Sequence, residues 1–254
     1  MDPLSIAATS AALKESCYEL ISLTDSLIHD KVPDSDLTIS GLGVVLQSTS
    51  VVLDEVSDTW RSHSASLMMH PSASFGMWPN VQNTLERFEI IFRMLKGKLE
   101  PVVKVDRSRS FAKAWKLGRH LNRISRCRCY LESNNKALKL GANMMIMCIR
   151  LETKTLPKDG QSSLTVLDTE TEKLEAAIQT TRKLSTISVS SKIDIEKYGL
   201  IASMENLAKS AKSFYSFIAT APLAATTQGD GESSAPPPSY AQAVKPDSEE
   251  TGAE

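Results

Sequence analysis

The sequence predicts an all-α fold: a bundle of six or seven helices over residues 2–220, followed by a disordered C-terminal tail. Two observations carry this. Apolar residues recur every three or four positions through most of the first 220 residues, the period of one helix face. After residue 220 the composition turns to Ala, Pro, Ser, Gly and acid, and the period stops. The division expected is a first helical domain over 1–156, further helices over 157–220 packing on it, and a tail over 221–254.

The first element opens the chain, "MDPLSIAATSAALKESCYELISLTDSLI". Leu4, Ala7, Ala8, Ala11, Ala12, Cys17, Leu20, Ile21, Thr24, Leu27 and Ile28 largely keep helical spacing. Asp2 is a good N-cap, and Pro3 suits the first helical position, where its missing N–H would have no partner. Val32–Pro33 ends the element. A cleaved secretion signal needs a basic n-region and an unbroken apolar run. This segment has Asp2 instead, and Lys14–Glu15 interrupt it. A membrane-spanning helix needs about 20 apolar residues; the longest apolar run read here is "MMIMCI", so no span is expected. The opening helix is read as ordinary core.

The second element covers 37–60, with Leu42, Val45, Leu46, Thr49, Leu53, Val56 and Trp60 on one face. Its first half, "TISGLGVV", is β-branched and could form a strand, but the later period favours a helix. Residues 61–80 are rich in Ser with two prolines and read as a long loop. Val81, Leu85, Phe88, Ile91, Phe92, Leu95 and Leu99 mark the third helix, closed by Pro101. The next element starts at Phe111 and reads as one long helix through Leu131, Leu138, Gly141, Met144, Met145 and Cys148, with a kink near "LESNN". After a break at "LPKDG", Leu174, Ala177, Ile178, Thr181 and Leu184 face inward on a further helix. Ile201, Leu207, Ala211, Phe214 and Ile218 do so on the last.

The basic stretch is the most informative. From Lys104 to Arg128 there are nine Lys/Arg and one acid, a local net of +8, in a chain whose net charge is −1. Phe111, Ala114, Trp115, Gly118 and Leu121 read as its inward face. Lys113, Lys116, Arg119, Arg123 and Arg126 read as a solvated face that suits an anionic membrane surface or an acidic partner. The acidic tail, with six acids and one Lys from Asp230 onward, could be that partner within the chain. Aromatic residues are too sparse and the total charge too neutral for nucleic acid to be expected.

The tail is too poor in apolar residues to offset its ordering entropy. It carries Pro237, Pro238, Ser239 and Tyr240, a Pro-Pro-x-Tyr pattern. Adjacent prolines pre-form an extended helix that WW domains grip in aromatic grooves. A WW-domain protein is therefore the expected partner, and a second copy of the chain is a further candidate.

No enzyme is expected. "GLGVVL" lacks the third glycine of a dinucleotide loop, and no phosphate loop or nucleophile elbow occurs. His29, His63, His70 and His120 are scattered. Cys127 and Cys129, two residues apart, diverge by about 200° on a helix. Together with Cys17 and Cys148 they read as reduced thiols of an intracellular chain. Catalytic residues, cofactors and metals are all expected to be none, and the location cytoplasmic or peripheral at a membrane.

"MDPLSIAA", followed by helices and "FAKAWKLGRHLNRISRCRCYLESNNKALKL", resembles the fungal HeLo-like N-terminal domain family. That family stands at the front of fungal NOD-like receptors and also occurs as stand-alone chains. The resemblance spans 1–156 and weakens towards 220. It implies a helical bundle with a signalling or membrane-targeting role, and in some relatives a cell-death role. No nucleotide-binding or repeat module follows. Stand-alone members imply an alternative role as a non-enzymatic accessory of an azaphilone polyketide pigment cluster. The expected function is a non-catalytic adaptor or signalling protein with a WW-binding tail.

Overall fold

The computed structural model describes residues 3–30, 36–68, 77–106, 110–152, 160–187 and 199–220. They form seven helices: α1 (Pro3–His29), α2 (Asp36–Met68), α3 (Met77–Val103), α4 (Ser110–Gly118), α5 (Leu121–Glu152), α6 (Gly160–Ile187) and α7 (Leu200–Thr220). No strand occurs among the described residues, so the all-α expectation holds. The tail expected to be disordered lies outside them, as does the proposed cap Asp2.

Helix α5 is the centre of the bundle. It packs against α2, α3, α6 and α7, while α1 packs on α2 and α3. The core has two parts that share this helix. Ile124, Leu131 and Leu138 of α5 join α1, α2 and α3 around Phe88, Leu46 and Leu20. Leu140, Met144 and Met147 join α6 and α7 around Leu174, Leu207 and Phe214. Ile201 touches both parts. Gly141 lets α3 come close: a Cβ there would stand 2.7 Å from Val81 Cγ2.

The "LESNN" stretch does not interrupt the helix. Helix α5 runs unbroken through it: Ser133 Oγ donates back to Cys129 O at 2.9 Å within the helix, and two of its polar side chains also reach neighbouring helices. Asn135 Nδ2 donates to Thr49 Oγ1 of α2 at 3.0 Å, and Ser133 and Thr181 hydroxyls of α5 and α6 meet at 3.1 Å. The break in the expected long helix falls earlier, at Arg119–His120. Gly118 ends α4, and His120 N–H donates to Leu117 O at 2.8 Å in a tightened last turn.

Three boundaries move for simple reasons. Helix α2 continues to Met68 and α3 begins at Met77, so both ends of the expected loop 61–80 are helical. Pro79 falls in the first turn of α3, where its missing N–H breaks no bond. Pro101 does not close α3 but sits inside its last turn, since its fixed φ is itself helical. "TISGLGVV" is helical as expected.

The face of α1 is corrected in its first half. Ile6, Ser10 and Leu13 are buried where Ala8 and Ala12 were expected. Counting back from Cys17 by fours and threes reaches Leu13, Ser10 and Ile6; burying Leu13 and Ile6 removes more apolar surface from water than alanines would, and Ser10 lies between them. The inward residues read for α3 are all buried.

The expectation that no stretch is long and apolar enough to span a membrane also needs correction. Leu37–Thr59 of α2 meets that condition by length and composition. The reason lies in its packing: 44% of the window is buried in the bundle, and apolar side chains also stand on its outer face.

Candidate functional site

Helix α4 is nine residues long, follows α3 in the chain and packs against it. Its orientation is the reverse of the expected one. Lys113, read as solvated, is 2% exposed and pairs with Asp30 at the end of α1. Leu117, one turn on, is fully buried in the core. Phe111 and Trp115, read as inward, are 85% and 59% exposed. The physical reason is the spacing Lys113–Leu117. A lysine stem can pass through apolar surroundings when its ammonium finds a carboxylate. Asp30 supplies that partner, and Phe111 and Trp115 then have to face out.

Two further bonds fix this orientation. Lys116 Nζ donates to Pro101 O at 2.9 Å, which ties α4 to the last turn of α3. Arg119 lies over the Trp115 ring, its Cζ 3.7 Å from the centroid. The result is a short helix clamped by two lysines on its inner side, with two aromatic rings and a guanidinium outside.

The electrostatics around it are positive. Burial first, and then the charges of Lys98, Lys116, Arg119 and Arg123, hold His120 below the ordinary histidine range. Arg123 and Arg126 lie half-buried on the first turns of α5. The basic residues thus do not form one solvated stripe. Lys113 and Lys116 have structural partners, Arg119 is at the surface, and Arg123 and Arg126 flank it. The sequence signal for this lay in Lys113, Leu117 and Ile124, an inward row whose first member is charged.

The other candidate residues divide similarly. Pro237, Pro238 and Tyr240 lie outside the described residues. Cys17 is buried and donates to Leu46 O at 3.1 Å; burial pushes its thiol up to about 12, with a bond to Ser50 acting against this. Cys129 is pushed up mainly by burial as well. Such thiols are poor nucleophiles at neutral pH. No group of three or more metal-binding side chains occurs among the described residues. A groove of about 480 Å³ between α2, α5 and α6 is open to solvent and mixed in character, lined by Glu55, Asp58, Lys139, Asn143 and Glu170 among others.

Comparison with known proteins gives no match: no family model fits the chain, and neither a curated protein nor a solved structure matches it.

Proposed function

We propose that this protein is a non-catalytic helical adaptor that docks peripherally on an anionic membrane surface through α4 and presents its tail to a WW-domain partner. One observation carries the docking half. Phe111 and Trp115 stand in water on a helix whose inner side is clamped, so the rings are held outward. Exposed aromatic side chains beside cations suit the headgroup boundary, where the ring enters the apolar edge and the charge meets phosphate. Burying each ring could contribute roughly 2 kcal/mol, and each nearby cation about 1 kcal/mol. Reversible binding is the outcome of such sums. The resemblance to HeLo-like domains supports a membrane-directed role.

Vesicle flotation tests this. The full chain should float with phosphatidylserine-containing vesicles, not with neutral ones, and binding should fall as salt rises. Phe111→Ser with Trp115→Ser should remove most binding, and Arg119→Glu should weaken it, with helicity unchanged since all three side chains are exposed. Equal binding to neutral vesicles, or full binding by the aromatic double variant, overturns the reading.

The adaptor half rests on Pro237, Pro238 and Tyr240. In titrations against WW domains, wild-type chain should bind and Tyr240→Ala should not, at unchanged thermal stability. Phosphate on Ser239 would add charge within the motif and should change the affinity. If Tyr240→Ala binds as well as wild type, the motif has no recruiting role.

A further inference from the structure

Helix α2 presents a second apolar surface, far from α4 in the sequence. Leu37, Val44 and Val51 are 90, 65 and 56% exposed, at intervals of seven residues. Seven residues are about two turns, so the three side chains form one seam along the helix. Ser40, Gln47 and Ser48 lie between them, also exposed. Leu42, Leu46 and Leu53 on the opposite side are fully buried, so the packing of α2 fixes the seam outward.

Charge is unevenly distributed along this face. Glu55 and Asp58 are exposed at its C-terminal end, on the rim of the groove that Lys139 of α5 also lines. Towards the N-terminal end, Arg128 of α5 lies across Gly41, where a Cβ would stand 2.5 Å from its Nη1. Among the described residues Arg128 has a long pairing, 3.5 Å from Nε to Glu132. Its guanidinium therefore keeps donor capacity beside the seam.

We propose that the seam pairs with the same seam of a second copy, with the two α2 helices antiparallel. Charge selects this occupant and this direction. Parallel copies would set Glu55 on Glu55 and Asp58 on Asp58. Antiparallel copies, related by a two-fold axis between Gln47 and Ser48, keep those acids apart. The same axis sets Val44 of each copy against Val51 of the other. It also brings Glu55 of each copy to the level of Ser40 of the other, next to Gly41, where Arg128 lies, and sets Asp58 at the level of Leu37. Two symmetric ion pairs then flank a centre of four valines. Small Ser40 and Ser48 let the backbones approach.

Sedimentation of the full chain over a range of concentrations tests this. Wild type should show a reversible monomer–dimer equilibrium. Val44→Glu with Val51→Glu should be monomeric, with unchanged helicity and thermal midpoint, because both positions face water. Glu55→Arg alone should weaken dimerisation about tenfold, and adding Arg128→Glu should restore it. Phe111→Ser with Trp115→Ser should dimerise like wild type, which separates this seam from the membrane face. Wild type that stays monomeric at every concentration overturns the proposal, as does a double charge swap no better than Glu55→Arg alone. A monomer in which Val44→Glu with Val51→Glu loses vesicle binding would assign the seam to lipid instead, and would also overturn it.

Discussion

Replacing Lys113 by Ala is expected to cost about 3–5 kcal/mol of folding stability, although the residue lies in the most basic part of the chain. The side chain is 2% exposed and its partner Asp30 only 10% exposed. Removing the ammonium alone takes the Lys113 charge away from a largely buried carboxylate, and that is the expensive state. The same substitution also frees α4 from the end of α1. Replacing both residues, Lys113→Leu with Asp30→Leu, should recover most of the loss, since a paired charge is close to energetically neutral against a packed apolar pair. Urea unfolding of the three variants measures this. A loss below about 1 kcal/mol for Lys113→Ala would mean that the ammonium reaches water instead, as exposed pairs contribute at most that much.

Phe88→Ala should cost a similar 3–5 kcal/mol through the cavity it leaves. Phe88 is fully buried on α3 and meets the Phe92 ring at 5.9 Å between centroids, tilted by 47°. Phe111→Ala is the control of the same chemistry. Its ring is in water, so stability should change by less than about 0.5 kcal/mol. The pair of variants checks the orientation of α4 directly. If Phe111→Ala destabilised the fold as much as Phe88→Ala, the helix would have its aromatic side inward.

The all-helical fold and most of the inward faces were legible in the sequence, because most helices carry their own apolar period, but the break that divides α4 from α5 was not. Val81 through Leu99 on α3 and Leu174 through Thr181 on α6 need no partner to be identified. Long-range pairing was not legible. Lys113 is separated from Asp30 by 83 residues, and nothing near either position announces the other. A rule that sends charge outward therefore turned α4 around, and with it the two aromatic residues that now define the candidate site. The continuity of α5 through "LESNN" depends on distant residues in the same way. Asn135 looks like a helix breaker until Thr49 is placed beside it. The outer seam of α2 was hidden differently: Leu37, Val44 and Val51 lie off the inward face read for this helix, and packing shows that the core leaves them out.

The central position of α5 has a consequence for how the chain assembles as it is synthesised. The α1–α2 pair can form soon after both helices emerge, but its inner face stays open until α5 arrives. Thr49 waits for Asn135, 86 residues later. During that interval Leu42, Leu46 and Leu53 have α1 to cover them, since α2 packs on α1 and α5. A nascent chain paused before α5 would therefore present a largely apolar hairpin to chaperones, whereas one paused after α5 would already hold the first half of its core closed, with only the α6 and α7 layer left to add.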